Sequence, residues 1–120
     1  DTDIDEVIFI TDALITFYST VGLTAAAANK HVVAVNLTGD IMPNILGEMG
    51  LCLNAYTEAD LIRITSELIN NGNAAKELNE IRSKFFAENP CYASGNVVER
   101  VVKVAEELSE AKSPTLKKIA

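Results

Sequence analysis

Hydrophobic positions in residues 12–36 change their spacing twice, and this stretch predicts the centre of an α/β fold. Residues 13–17 form an apolar run with β-branched members, residues 19–22 a small-residue break, residues 23–29 an alanine-rich segment, and residues 32–35 a second apolar run. Near-continuous apolar runs are typical of strands buried on both faces of a parallel sheet. The pattern therefore predicts a strand, a tight turn, a helix and a second strand, joined by a right-handed crossover.

Most of the remaining chain has helical spacing. The spacing of Ile4, Val7 and Ile8 predicts a helix, and the acidic residues before them suit its amino terminus. Residues 7–11 are also β-branched enough to form a strand instead. Residues 37–50 predict a long loop, and residues 51–54 a short third strand. Three helices should follow, with these buried faces: Leu61, Ile62, Thr65, Leu68 and Ile69 in the first, Leu78, Ile81 and Phe85 in the second, and Val97, Val98, Val101, Val102, Ala105 and Leu108 in the third.

These elements predict one three-layer, Rossmann-like α/β domain over residues 1–112. It should contain a short parallel sheet of about three strands, flanked by helices, with long helices towards the carboxyl terminus. Ser113 and Pro114 indicate that residues 113–120 form a flexible tail. A single domain is also what 120 residues predict.

Composition narrows the classes of partner. With 48% hydrophobic and 22% charged residues, the chain resembles soluble globular proteins, and a net charge of −7 argues against nucleic acid or an anionic membrane surface as a partner. The sequence contains neither a membrane-spanning apolar run nor a signal peptide, so we expect a cytoplasmic protein. Cys52 and Cys91 form no CxxC motif and are interpreted as small hydrophobic residues, and no metal site is predicted.

Candidate chemistry begins at the turn after the first strand. Ser19 and Thr20 stand where a helix begins, so their hydroxyl groups can cap it while its first amides point outward. Such a helix start attracts anions, phosphate above all, and Gly22 allows a ligand or a neighbouring strand to approach the backbone. The alternative is a helix start with only a structural role.

Two other polar positions have structural alternatives. Asp40, which follows Thr38 and Gly39 after the second strand, could bind a metal or a sugar hydroxyl, but a turn-forming role is favoured. His31, the only histidine, is better explained as a corner residue than as a general base.

The run from Asp12 to Gly39 resembles the carboxyl-terminal, nucleotide-sugar-binding half of GT-B-fold glycosyltransferases and of the related UDP-N-acetylglucosamine 2-epimerases. The similarity is carried by the turn and helix that follow the first strand and by the corner into the second strand. Residues 57–68 and 92–100 are similar to later segments of that half. The matching residues in the first block are Ser19, Thr20, Val21, Gly22, Leu23, Ala25, Lys30 and Val32.

The resemblance implies a donor site in which the turn holds the diphosphate of a nucleotide sugar, without a further cofactor. Thr24 stands where the family has a ribose-binding glutamate, so ribose recognition should differ. The implied substrate-binding residues are Ser19, Thr20, Val21, Gly22, Thr24, Thr38, Gly39 and Asp40.

Three functions remain open at this point. The first is the donor-binding portion of a glycosyltransferase, and the second is part of a UDP-N-acetylglucosamine 2-epimerase. The resemblance implies that such enzymes bind the acceptor with a separate amino-terminal domain and carry the general base there or in the cleft between the two domains. The catalytic residues are therefore unknown, and no activity is expected from this chain alone. The third is a non-catalytic domain that packs against a partner domain.

Overall fold

A computed structural model describes residues 3–92 and 97–116 and shows an α/β fold built on a parallel three-stranded sheet. The strands lie in the order β1-β2-β3. The helices and strands, in chain order, are α1 (Ile4–Ile10), β1 (Ala13–Thr16), α2 (Val21–Ala27), β2 (His31–Val35), α3 (Ile45–Glu48), β3 (Leu53–Ala55), α4 (Glu58–Ile69), α5 (Asn73–Glu88) and α6 (Val97–Leu116), with a 3-10 turn at Pro90–Tyr92.

The sheet has the parallel register that the two apolar runs predict. Ile15 pairs with Val33, which in turn pairs with Leu53. Because all three strands are parallel, their carboxyl ends lie at the same edge of the sheet. This edge receives the turn after β1 and the loop after β2, and it is where ligands bind in open α/β sheets.

The core has two parts, one on each face of the sheet. On the first face, Val32 and Ala34 of β2 pack with residues from α1, α2, α3 and α5. On the second face, Val33 of β2 and Ala55 of β3 pack against Ile64 of α4. The predicted three-layer α/β arrangement of helices on both faces of a parallel sheet is therefore confirmed.

Strand β1 is less covered than the sequence predicts. It is an edge strand, and α4 covers only the β2 and β3 side of the second face. Ile15 is 52% exposed, whereas its neighbour Val33 is fully buried. The expectation of burial on both faces is right for β2 and wrong for β1, since burial of a strand depends on neighbours that its own residues do not reveal.

Of two other segments, the first agrees with the helix prediction and the second differs from the loop prediction. The first helix is present, so the strand alternative for residues 7–11 is wrong; Asp3 caps it by accepting a hydrogen bond from the Asp5 amide at 3.1 Å. The predicted loop 37–50 contains the short helix α3. Asn44 begins this helix by accepting from the Gly47 amide at 3.0 Å.

The buried faces of α4 and α5 are narrower than predicted. Ile62 and Ile69 are 72% and 78% exposed, because α4 contacts the sheet through a narrow stripe centred on Ile64. In α5, Leu78 is buried as expected, but Arg82 occupies the next inward position. Of the other two residues predicted for this face, Phe85 is half-buried and Ile81 is 40% exposed.

Helix α6 does not present the predicted buried face. Val101, Val102, Ala105 and Leu108 are all exposed. The helix also continues through Ser113 and Pro114 to Leu116. Residues 93–96 and 117–120, the second half of the predicted tail, lie outside the described residues, as do the side chains of Val97 and Val98.

Candidate functional site

The turn between β1 and α2 has an uncommon backbone. Tyr18 has a φ of 48°, in the left-handed region that residues other than glycine seldom occupy. This conformation turns the chain sharply from the end of β1 into α2. Ser19 and Thr20 therefore lie at the carboxyl edge of the sheet, directly after the strand.

The hydrogen bonds of this turn leave several donors for a ligand. The Val21 amide donates to Ser19 Oγ at 3.3 Å, and the Gly22 and Leu23 amides donate to the Ser19 and Thr20 carbonyl groups, each at 3.0 Å. Thr20 is the N-cap residue, yet its side chain accepts no capping bond, contrary to expectation. Within residues 3–92 and 97–116, the Ser19 and Thr20 amides also have no acceptor. Two amides and the Thr20 hydroxyl are thus free to meet an anion.

Gly22 has a packing role in this structure. It is buried, and a Cβ atom there would overlap the Leu46 side chain and lie 3.4 Å from Val32 Cγ1. The sequence allows either a ligand or a neighbouring strand to approach Gly22. In the structure the groups that approach it are core side chains. Val21 is half-buried, and Thr24 is exposed on α2.

The loop after β2 joins the turn through Asn36. This side chain is 5% exposed, and its amide group donates to Tyr18 Oη at 3.1 Å and to the Asp40 carbonyl oxygen at 2.8 Å. The Asn36 backbone amide also donates to the Ala55 carbonyl at the end of β3, at 2.9 Å. Asn36 therefore connects the segments that follow β1 and β2 with the last residue of β3.

Thr38, Gly39 and Asp40 form a compact turn beside Asn36. The Thr38 hydroxyl lies 3.1 Å from Asn36 Oδ1 and 2.9 Å from Asp40 Oδ2, and it accepts from the Asp40 amide at 3.3 Å. Gly39 has a φ of 77°, which favours glycine. The structure thus supports a turn-forming role for Asp40, and all three residues are exposed.

An apolar cavity of about 180 Å³ adjoins the turn, and we call it the edge cavity. Ser19 and Thr20 are among its lining residues, and Leu46 and Met49 contribute to its apolar wall. No basic side chain is among its lining residues. The complete lining is Tyr18, Ser19, Thr20, Leu23, Pro43, Asn44, Ile45, Leu46 and Met49.

Comparison with protein-family models, curated proteins and solved structures finds no match to this chain. The edge cavity and its turn must therefore be interpreted from their own geometry. Hydrogen-bond donors on lining residues beside an apolar wall suit a ligand with an anionic group next to an uncharged one.

His31 lies at the opposite edge of the sheet, where β2 begins. Its Nδ1 atom is buried and has no hydrogen-bond partner among the residues that the structure describes. Burial, followed by the nearby Arg82 charge, lowers its pKa, while Asp12 acts in the opposite direction. Because it is remote from Ser19 and Thr20, His31 cannot act as their general base, and the corner role is the better description.

Arg82 holds the corner between α2 and β2. Its guanidinium group is 4% exposed and donates to the Lys30 carbonyl at 2.7 Å, to Asn29 Oδ1 at 2.8 Å and to Asn79 Oδ1 at 2.5 Å. Burial lowers the pKa of this group. The sequence reasoning missed Arg82, although its spacing from Leu78 places both on one helix face.

In the part of the chain that the structure describes, no three His, Cys, Asp or Glu side chains are grouped as metal ligands would be. None of the helices in residues 3–92 and 97–116 combines the length and apolar character needed to cross a bilayer.

Proposed function

We propose that this chain is the donor-binding portion of a glycosyltransferase and binds the diphosphate of a nucleotide sugar at Ser19 and Thr20. The observation that carries the proposal is a set of donors, the Ser19 and Thr20 amides and the Thr20 hydroxyl, that have no partner within the described residues and belong to residues lining the edge cavity. Hydrogen-bond donors at the carboxyl edge of a parallel sheet are a recurrent way to bind phosphate groups.

The chemistry of this turn is binding without proton transfer. Within the described residues, the lining of the edge cavity includes no histidine or carboxylate that could serve as a base. In the complete reaction these donors would stabilise the departing nucleoside diphosphate as negative charge develops on it. The resemblance implies that the acceptor and the catalytic base come from a separate domain.

A titration followed by amide chemical shifts tests the proposal. We expect UDP, UDP-N-acetylglucosamine, GDP or CDP to shift Ser19, Thr20 and residues 38–40, and the ranking of the four ligands would identify the base. Thr20→Val removes one donor with little change in shape, so it should weaken binding about tenfold to a hundredfold, as expected for one hydrogen bond to a charged group. Thr65→Val, a matched change on α4, should not affect binding. The absence of shifts at millimolar ligand in the unmodified chain would refute the proposal.

Thr24→Glu gives a second test of the same site. A carboxylate accepts two hydroxyl hydrogens where threonine offers a single oxygen. If the ribose lies near this exposed position, Thr24→Glu should increase affinity for UDP but not for inorganic pyrophosphate, which has no ribose. Equal changes for both ligands would contradict ribose recognition at this position.

A second candidate function is a non-catalytic domain that packs against a partner. The observation that favours it is the exposure of apolar side chains on α6, with Val101 at 63% and Leu108 at 59%. Two measurements distinguish the two functions. Self-association of the chain in analytical ultracentrifugation without nucleotide supports packing, whereas nucleotide-dependent chemical shifts in the titration above support donor binding.

A further inference from the structure

We propose that Tyr18 and Asn36 couple the conformation of the turn at residues 18–20 to that of the loop at residues 37–40, with Tyr18 as the positioning residue. The inference deepens the proposed function, because both segments border the proposed donor site. It concerns how the turn and the loop keep their positions relative to each other, and it can be tested without a bound ligand.

The coupling rests first on the burial and bonding of one side chain. Asn36 is only 5% exposed, and both hydrogens of its side-chain amide group have acceptors. One acceptor, Tyr18 Oη, belongs to the turn, and the other, the Asp40 carbonyl oxygen, belongs to the loop. Movement of either segment therefore leaves a buried donor without a partner, which is costly.

The conformation of Tyr18 is the second observation. Its φ of 48° is uncommon for a residue with a side chain, and such conformations persist where the surrounding structure fixes them. The hydrogen bond to Asn36 and the contact between the Phe17 and Tyr18 rings, 4.9 Å between centroids, supply that support. The same backbone conformation sets the direction of Ser19 and Thr20.

The loop side of the link has a similar arrangement. The Thr38 hydroxyl bridges Asn36 Oδ1 and the Asp40 backbone amide, with distances of 3.1 and 3.3 Å. Asn36 thus fixes Asp40 from two sides, once directly through its amide group and once through Thr38. A change at Thr38 should therefore reach the turn only through Asn36 and Tyr18.

Hydrogen exchange in the whole, ligand-free chain tests the link. In the unmodified protein, the side-chain amide hydrogens of Asn36 should exchange more slowly than those of exposed Asn73. Tyr18→Phe keeps the ring and removes the acceptor, so exchange of the Asn36 side chain and of the Asp40 amide should become roughly fivefold faster. Tyr56→Phe is the matched control: Tyr56 lies in a pocket with Ile41 and Met42, which follow the loop, is 57% exposed and has no hydroxyl partner within the described residues.

A second variant tests the link from the other side. Thr38→Val should shift the Ser19 and Thr20 amide resonances in the unmodified background and should shift them much less in the Tyr18→Phe background. Resonances outside the two segments report whether each variant keeps its fold.

The outcomes separate this inference from the proposed function. Unchanged Asn36 and Asp40 exchange in Tyr18→Phe would overturn the coupling, as would equal effects of Thr38→Val in both backgrounds. The absence of UDP-induced shifts in the unmodified chain would refute donor binding and would leave the exchange result unaffected.

Discussion

Gly22→Ala should force the Leu46 side chain to move. Gly22 is the second residue of α2, and an added Cβ atom would overlap Leu46 and approach Val32 Cγ1 to 3.4 Å. Val32 is fully buried in the central strand and has no space to retreat. Leu46 lines the edge cavity, so its side chain can move into that space.

The expected magnitude is the difference between two opposing effects. Overpacking a core costs about 1–3 kcal/mol. Alanine recovers about 0.5–1 kcal/mol, because glycine is the poorer helix residue. We therefore expect Gly22→Ala to lower the free energy of unfolding by about 1 kcal/mol and the thermal midpoint by about 4 °C.

Urea unfolding followed by far-UV circular dichroism measures this change. Leu46→Val shortens the side chain that the new methyl group meets, so the double variant should lose less stability than the two single variants combined. A coupling free energy of at least about 0.5 kcal/mol is expected for residues in contact. The displaced Leu46 side chain should also reduce UDP binding at the edge cavity.

Two results would refute this reasoning. A Gly22→Ala variant as stable as the unmodified chain would show that Leu46 relaxes without cost. Strict additivity in the double variant would show that the destabilisation does not arise from contact with Leu46.

Two further predictions concern pH and capping. Burial and the Arg82 charge, opposed by Asp12, lower the pKa of His31 below its ordinary value of 6.5, so its contribution to stability is complete above about pH 6.5 and is lost as the pH falls through the folded-state pKa. His31→Gln should therefore flatten the pH dependence of urea unfolding in this range, and an unchanged slope would contradict the assignment. Thr57→Ala removes the N-cap of α4 and should cost about 1 kcal/mol in the same assay. The pKa of Asp60, lowered chiefly by its hydrogen bond with Thr57, should then rise in a carboxyl NMR titration, and an unchanged pKa would argue against this bond.

The sequence predicts the order of strands and helices around the sheet better than it predicts what each element buries. The apolar runs correctly place β1 and β2, because near-continuous β-branched and aliphatic residues favour buried strands. They do not reveal that β1 lies at an edge, where Ile15 remains 52% exposed. In α6, helical spacing predicts a core face, but spacing alone does not provide a surface for Val101 and Leu108 to contact.

The candidate site was predictable only in part. Ser19 and Thr20 could be found because small hydroxyl residues after an apolar run indicate a turn into a helix. Asn36 could not be identified as their link to the loop, since an asparagine after a strand resembles any other loop residue. Its partners Tyr18 and Asp40 are brought together only by the parallel pairing of β1 and β2.

The uneven cover of the sheet has a consequence for local unfolding. Strand β2 is packed on both faces, whereas β1 has one unpaired edge and borders a groove of about 530 Å³ beside α4. Backbone segments with fewer buried contacts open at lower free energy than the core. We therefore expect the amides of β1 to exchange before those of β2. The turn at residues 18–20 would then belong to the part of the domain that opens first, and a ligand bound there would raise the protection of β1 itself.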